Sequence, residues 1–387
     1  MNTEDKLKKK KAIFGSHPEI LNLQKKSDLG QFQKLLRQEV SITDDYEEQL
    51  REYFSIQNPQ LIFQPDLEQK FCEYKKGLEM RLPLWKQGRW VYFPWLFALS
   101  HILEEGPFFQ VRTARNRELI TKAEQKKFYN ATIGIAGLSV GNSVAVAIVL
   151  QGGSGHIKLA DHDQLALSNT NRIRAGVQNL GAAKTDLTAR EIYTLNPYAK
   201  VEIFPDGLTI QNVKKFFKGL DVVVDEIDNL AMKYKIREYA QKYRLPVIMG
   251  ADNGDGVVVD IERYDINPHL RFFHGRMGKT SFDSLANLSK LEIGKKIASY
   301  VEVENISPRM RGSLLEIGKT IVSWPQLGGA AMLNGAAIAY CARRILMGQT
   351  LASNRIVLSF DEKFSLVNKG FRKNRKTLDL FIKKFDI

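Results

Sequence analysis

The chain has 387 residues, enough for two or three domains at roughly 150 residues each. Hydrophobic residues make up 44% of the chain and charged residues 26%, which excludes a disordered or fibrous protein. Lysine and arginine outnumber aspartate and glutamate by 57 to 43, and the resulting net charge of +14 favours anionic partners.

The cysteine content and the hydropathy predict the compartment. Cys72 and Cys341 are the only cysteines, too few for a disulfide framework or a four-cysteine zinc site, so we expect a reducing compartment. Residues 1–11 carry no apolar segment typical of a secretory signal. The apolar stretch 327–341 is shorter than the roughly 20 residues that span a bilayer. We therefore predict a cytoplasmic protein without a membrane segment.

Residues 15–109 carry amphipathic helical patterns and an aromatic cluster. Aromatic residues at this density typically form core or interface, so we predict a mixed, mostly helical amino-terminal domain over residues 1–110. Basic residues from Lys6 to Lys11 and from Lys369 to Lys384 predict solvated terminal arms; the alternative is a footprint for nucleic acid or acidic lipid. The aromatic cluster consists of Trp85, Trp90, Tyr92, Phe93 and Trp95.

From residue 111 onward, strands and helices alternate. The apolar run 132–136 leads into a glycine turn at 137–141 and then into a helical pattern at 144–150. This alternation predicts an α/β fold with a Rossmann-like, doubly wound, mainly parallel sheet, whose ligand lies at the carboxyl ends of the strands. The further predicted strands are 157–160, 201–204, 221–225 and 246–249, with helices at 184–195 and before Tyr243.

After residue 264 the alternation weakens. Residues 265–325 predict a crossover insertion with a helical stretch at 284–299, and residues 325–347 predict a long helix rich in small residues. That helix packs either on the sheet or on a second subunit. We predict a second domain, residues 111–387, made of a nucleotide-binding core at 131–264, the insertion at 265–325, and a closing helix and antiparallel strands (356–360 and 364–367) at 326–387.

The glycine turn and one acidic residue point to a nucleotide. The turn Gly137-Leu-Ser139-Val-Gly141 joins a strand to a helix, where backbone N–H groups can bind phosphate. Its register departs from G-x-G-x-x-G, so the turn alone is weak evidence. Asp161, at the end of the next strand, is placed to accept hydrogen bonds from ribose hydroxyls.

The charged residues that follow favour a polyphosphate over a nicotinamide dinucleotide. Arg172 and Lys184 come after the strand that ends at Asp161, and guanidinium and ammonium groups together suit a polyphosphate. Asp228 follows the buried strand 221–225, where its carboxylate is well placed to hold Mg²⁺. Each residue taken alone could instead be a surface ion-pair partner.

Short motifs follow one another in order through residues 131–264. After the glycine turn they are Asp161-x-Asp163, Ser168-Asn169-x-x-Arg172, Gly181-x-x-Lys184, Asn196-Pro197, Asp228-Asn229, and Gly250 ahead of a hairpin. In this order they resemble the adenylating domain of the ThiF/MoeB/HesA superfamily, the relatives of the ubiquitin-activating enzymes.

The resemblance implies a role for each matching residue. Asp161 would bind ribose, Asn169, Arg172 and Lys184 the triphosphate, and Asp228 the Mg²⁺. The resemblance also implies a homodimer in which Arg115 or Arg117 reaches the partner's ATP. The implied nucleotide-binding set is Gly137, Ser139, Gly141, Asp161, Asp163, Asn169, Arg172 and Lys184, and the implied catalytic set is Arg172, Lys184, Asp228 and Arg115 or Arg117.

The chain also departs from the superfamily pattern. The two Cys-x-x-Cys pairs that bind zinc in many members are absent, so no zinc is expected. No acceptor cysteine is evident, and Cys341 lies on an apolar helix, which predicts a buried structural thiol.

The leading hypothesis is an ATP- and Mg²⁺-dependent adenylyltransferase that converts a substrate carboxylate into an acyl-adenylate and releases pyrophosphate. The resemblance implies as substrate the carboxyl terminus of a small ubiquitin-like or sulfur-carrier protein, or a peptide. A small carboxylate or a carboxylate borne on a modified tRNA base also remains open as the substrate, and the net positive charge favours the tRNA. The alternatives are an NAD-dependent oxidoreductase and a nucleotide-binding module without activity.

Overall fold

The computed structural model describes residues 15–153, 155–364 and 375–385. The basic arm from Lys6 to Lys11, the basic residues 369–373 and most of the predicted strand 364–367 lie outside the described residues. The chain divides into two compact units, described separately below. The first comprises the described residues up to Thr121 together with Ala189–Tyr198, and the second comprises Lys122–Thr188 and the described residues from Ala199 onward.

The first unit contains a four-stranded sheet that the helical patterns in the sequence did not predict. The strand order is β1-β3-β4-β2; β3 pairs antiparallel with β1 and β4, and β2 pairs parallel with β4. The strands are β1 (Glu19–Leu21), β2 (Ser41–Asp44), β3 (Arg89–Phe93) and β4 (Ala98–Ile102).

Four α-helices accompany this sheet. Phe32 and Leu35 share a buried cluster with Trp90 of β3, so the aromatic segment contributes to the core as expected. Trp85, by contrast, keeps 43% of its surface exposed. The helices are α1 (Lys26–Arg37), α2 (Tyr46–Gln57), α3 (Leu67–Glu79) and α4 (Glu105–Arg112).

The second unit is built on a seven-stranded, mostly parallel sheet, which confirms the predicted fold class. Its order is β11-β10-β9-β8-β5-β6-β7; the strands from β9 to β7 are parallel, and β10 runs antiparallel to both β9 and β11. The strands are β5 (Thr132–Ala136), β6 (His156–Ala160), β7 (Lys200–Phe204), β8 (Val222–Asp225), β9 (Pro246–Asn253), β10 (Gly256–Arg263) and β11 (Asn354–Leu358).

The remaining helices include the crossovers of this sheet. Helix α7 begins in the second unit, and its residues from Ala189 onward belong to the first. The helices are α5 (Lys122–Asn130), α6 (Gly141–Leu150), α7 (Lys184–Leu195), α8 (Val213–Phe217), α9 (Leu230–Tyr243), α10 (Phe282–Ala286), α11 (Lys290–Val301), α12 (Pro308–Glu316), α13 (Gly328–Leu346), α14 (Phe360–Lys363) and α15 (Arg375–Phe385). Among the described residues, no helix is long and apolar enough to cross a membrane.

Two details differ from the sequence-based expectations. The helical stretch predicted at 284–299 is two helices, because Ser289 caps a new helix by accepting a hydrogen bond from the backbone N–H of Glu292. The strand predicted at 356–360 ends at Leu358, and Phe360 begins the short helix α14. The sequence left open whether the long helix α13 packs on the sheet or on a second subunit; in the structure it packs on α6 and β9. The contact with α6 is close, because a Cβ added at Gly335 would overlap the Ser143 backbone.

A buried ion network anchors the carboxyl end of β8. Asp225 and Arg237 are fully buried and form an ion pair, and Arg237 also contacts Glu262 of β10 at 2.8 Å. Lys233 reaches the other oxygen of Asp225 at 3.0 Å. These cations hold the pKa of Asp225 below its ordinary value, despite the opposing effect of burial, which is the largest single influence.

We expect Arg237→Met to lower the free energy of unfolding by about 3–5 kcal/mol, because Glu262 and one oxygen of Asp225 would stay buried without their cation. The matched control is Lys235→Met on the same helix. The ion pair of Lys235 with Glu238 lies at the surface and contributes at most about 1 kcal/mol. Urea denaturation of both variants measures the difference. Equal losses in the two variants would contradict the role given to the network.

Candidate functional site

The site lies where the carboxyl ends of parallel strands meet. Polar segments follow β5, β6 and β8, and together with the carboxyl half of β9 they border a cavity of about 630 Å³. This is the edge of a parallel sheet at which ligands bind, and the volume suits a cofactor or a small-molecule substrate.

The structure brings most of the predicted residues to this cavity. Asn169, Arg172, Lys184 and Asp228 all line it, although 59 residues separate the first from the last. Ser139 of the glycine turn and Asp163 line it as well. Of the predicted nucleotide-binding set, the lining formed by the described residues lacks Gly137, Gly141 and Asp161.

The glycine turn is held by backbone contacts. Gly137 has φ +85°, and an added Cβ would overlap the carbonyl oxygen of Glu226, so only glycine fits here. The two oxygens of Asp161 accept the backbone N–H groups of Leu138 at 2.6 Å and Asp163 at 2.8 Å. Asp161 therefore couples the turn to the end of β6, and its predicted contact with ribose stays a prediction.

Lys184 enters the site already paired. Its Nζ atom lies 2.7 Å from Oδ2 of Asp163, and its side chain is only 6% exposed. The hydrogen bond from Lys184 lowers the pKa of Asp163, so the carboxylate is ionised at neutral pH. An anionic ligand would compete with this carboxylate for the ammonium group.

Arg172 is oriented by neighbouring oxygens. Its Nε donates to Oγ of Ser139 at 2.9 Å, and Nη1 donates to Oδ1 of Asn171 at 2.9 Å. Burial lowers the pKa of Arg172, while Asp252 and Asp228 oppose that shift. A guanidinium keeps its charge under these conditions, so the group is a fixed cation at the rim of the glycine turn.

Three carboxyl groups line the cavity near Arg172. Asp228 is exposed to it, whereas burial raises the pKa of Glu226 well above its ordinary value. Burial also raises the pKa of Asp252, to about 6, against the hydrogen bond from Asn334 and the charge of Arg172. Carboxylate oxygens suit Mg²⁺, and a bound cation would favour the ionised form of Glu226 and Asp252.

Sequence reasoning missed Glu226 and Asp252 as site residues. Glu226 accepts the backbone N–H of Gly250 at 2.8 Å, and Asn334, buried on α13, donates to Asp252 at 3.3 Å. An available signal was the spacing: Glu226 lies two residues before Asp228, and Asp252 two residues after Gly250.

A second candidate for a metal lies at the end of β6. Ligand atoms of Asp161, His162 and Asp163 lie within 4.8 Å of one another. The oxygens of Asp161 already accept backbone N–H groups, and Asp163 pairs with Lys184. A cation bound by these three residues would therefore compete with those existing contacts.

The predicted arginines and the cysteines lie elsewhere. Arg115 and Arg117 belong to the first unit, where Nη1 of Arg117 donates to the Ile56 carbonyl at 3.4 Å, and their role toward ATP stays a prediction. Both cysteines are within the described residues, and neither lines the cavity. Cys341 is buried, as predicted, and burial raises the pKa of its thiol to about 11.

We expect Asp252 to make folding stability pH-dependent. Its pKa in the folded chain, about 6, exceeds the ordinary 3.8, so its contribution is complete below the ordinary value and is lost as the pH rises through 6. This shift amounts to about 3 kcal/mol. Relative to Asp252→Asn, the unmodified protein should lose this much stability between about pH 4 and about pH 7 in urea denaturation. Parallel pH profiles for the two proteins would show that Asp252 does not titrate in this range.

Comparisons with known proteins agree with this geometry. Residues 113–291 match the ThiF family. An uncharacterized protein of Mycobacterium tuberculosis is 36% identical over 293 residues, which cover 74% of this chain and 41% of that protein. The sulfur carrier protein adenylyltransferase of Thermus thermophilus is 25% identical over 156 residues, which cover 40% of this chain and 55% of that protein.

A third relative also has a solved structure. The tRNA threonylcarbamoyladenosine dehydratase of Escherichia coli is 32% identical over 123 residues, which cover 31% of this chain and 46% of that protein. A crystal structure of the Escherichia coli enzyme aligns with 62% of this chain and 95% of the solved chain, at a TM-score of 0.45 and 21% identity. That score carries no functional argument, and the chain spans less than two thirds of these three curated relatives in sequence. Residues 113–291 are a ThiF family domain.

Proposed function

We propose that this chain activates a substrate carboxylate by adenylation, using ATP and Mg²⁺. The observation that carries the proposal is the shared cavity at the carboxyl edge of the sheet, which Asn169, Arg172, Lys184 and Asp228 all line. The ThiF family match and the adenylyltransferase among the relatives support it.

In the proposed reaction, a carboxylate oxygen attacks the α-phosphorus of ATP. A new bond forms between that oxygen and phosphorus, the bond from phosphorus to the bridging oxygen breaks, and pyrophosphate leaves with the electron pair. The reaction needs little proton transfer, so positioning and charge neutralisation carry the catalysis.

The cations and acids of the cavity divide this work. Arg172, held at Ser139, would bind phosphate oxygens in a fixed orientation, and Lys184 would exchange Asp163 for phosphate. Asp228 would hold the Mg²⁺, which when bound neutralises charge on the leaving pyrophosphate. These prearranged groups would stabilise charge without reorganising during the reaction.

The finer parts of the proposal concern assembly, location, the domain boundary and the substrate. We propose that Arg115 or Arg117 completes the site of a partner subunit in a cytoplasmic homodimer. We also propose a domain boundary near residue 110. The relatives are named for different substrates, a tRNA base and a sulfur carrier protein, so their names leave the carboxylate of this chain open.

We expect Arg172→Ala to weaken ATP binding in the presence of Mg²⁺ by ten- to a hundredfold, because a charge-assisted hydrogen bond contributes roughly 1.5–3 kcal/mol. Arg174→Ala is the control, since Arg174 is exposed and absent from the cavity lining formed by the described residues. Isothermal titration calorimetry measures both variants. Titration with NAD in place of ATP tests the oxidoreductase alternative: tighter binding of NAD would contradict our proposal.

We expect Asp228→Asn to abolish carboxylate-dependent exchange of pyrophosphate into ATP while the fold is retained, because the variant loses the proposed metal ligand. Asp255→Asn, at the exposed β9–β10 turn, should exchange like the unmodified protein. A peptide ending in Gly-Gly and 3-phenylpropionate serve as carboxylates. Unchanged exchange in Asp228→Asn would refute the assignment, and ATP binding without exchange would favour an inactive nucleotide-binding module.

A further inference from the structure

The cavity has a second end whose chemistry a triphosphate does not explain. This apolar end is formed by residues of the crossover insertion, and all of its side chains are uncharged. It consists of Phe273, Met277, Ile293, Ile297, Tyr300 and Trp324.

One face of helix α11 supplies three of these six residues. Ile293, Ile297, Tyr300 and Val301 follow the spacing of a single helical face, and all four line the cavity. Tyr300 and Val301 are buried in the core of the insertion, while Ile293 and Ile297 are only partly covered. The face therefore packs on the core and still presents apolar surface to the cavity.

The hydroxyl group of Tyr300 in this wall is already used. The Tyr300 hydroxyl donates to Asp260, whose carboxylate also pairs with Arg355 at 2.6 Å. The wall can consequently offer the ring of Tyr300 but not its hydroxyl, and burying a charged ligand group against its apolar side chains would cost hydration.

The order of the strands indicates which reactant meets this wall. Along the sheet edge, Asp163 follows β6, Ser139 follows β5, Asp228 follows β8 and Asp252 lies on β9. The apolar end packs over the β9–β10 side, because Met249 and Val258 of those strands share its core cluster. It thus lies across the phosphate-binding groups from the predicted ribose contact at β6, on the side left for the second reactant.

We propose that the apolar end receives the apolar part of the substrate, so that the activated carboxylate is attached to an aromatic or branched aliphatic group. This inference rests on the proposed adenylation. A carboxylate on such a group places its charge near Arg172 and the proposed Mg²⁺ site while its apolar part covers Ile293 and Ile297. A diacid or a Gly-Gly terminus would leave the wall uncovered.

The test uses the full chain loaded with Mg²⁺ and an ATP analogue whose α,β-bridge is methylene. Isothermal titration calorimetry then compares 3-phenylpropionate with succinate and glycylglycine. We expect 3-phenylpropionate to bind at least tenfold more tightly than either. Equal affinities, or no binding of 3-phenylpropionate, would overturn the inference.

Variants of the wall sharpen the result. Ile297→Glu should weaken 3-phenylpropionate at least tenfold and leave the affinity for the ATP analogue unchanged, and Ile297→Thr, which keeps the branched shape, serves if the first variant does not fold. The control is Val322→Glu. Val322 is 97% exposed and does not belong to the cavity lining formed by the described residues. A loss of analogue affinity in Ile297→Glu would overturn the inference, because it would place the adenine base at this wall.

The exchange reaction separates this inference from the proposed function. Selective binding of 3-phenylpropionate with no pyrophosphate exchange would support the apolar end and contradict adenylation. Exchange that is equally fast with succinate and glycylglycine, and insensitive to Ile297→Glu, would support adenylation and overturn the apolar preference.

Discussion

The buried ion network at the end of β8 is the constraint on which the site depends. Asp225 is fully buried between Arg237 and Lys233 of α9, and Arg237 also holds Glu262 of β10. Because Glu226 comes directly after Asp225 and Asp228 two residues later, this network restrains the backbone that carries their carboxyl groups. An unpaired charge at this depth would be costly, so the segment has little freedom to move. The acids of the cavity are therefore placed by the core rather than by the ligand.

Polar contacts fix the two cationic side chains on the other side of the cavity. Lys184 is paired with Asp163, and Arg172 is tethered to Ser139 of the glycine turn. Across from them, burial raises the pKa values of Glu226 and Asp252. A triphosphate with its divalent cation would neutralise both sides of the cavity. The phosphate oxygens would bind the cationic side chains, and Mg²⁺ would bind carboxylate oxygen. The charges that line the cavity thus match the ligand that the proposed reaction requires.

The change from parallel to antiparallel pairing separates the two ends of the cavity. Strands β6, β5 and β8 end in polar segments, whereas the hairpin β9–β10 carries the core of the crossover insertion. A parallel edge offers backbone N–H groups and helix starts, which suit phosphate. The insertion adds an apolar helix face beside it. The fold thereby provides a nucleotide site and a separate surface for the second reactant.

Local patterns in the sequence were enough to predict the βαβ alternation, the glycine turn and the residues Arg172, Lys184 and Asp228, because periodicity and strand-end motifs act over a few residues. The sheet of the first unit escaped prediction, since its strands β2 and β3 are separated by the two α-helices α2 and α3 and pair through β4. Three features of the site depend on contacts between distant segments. They are the hydrogen bonds that Asp161 accepts from backbone N–H groups, the partners of Asp252, and the apolar face toward Trp324. Such contacts arise only when the sheet, α13 and the insertion pack together, because burial and pairing are properties of the packed chain rather than of any one segment.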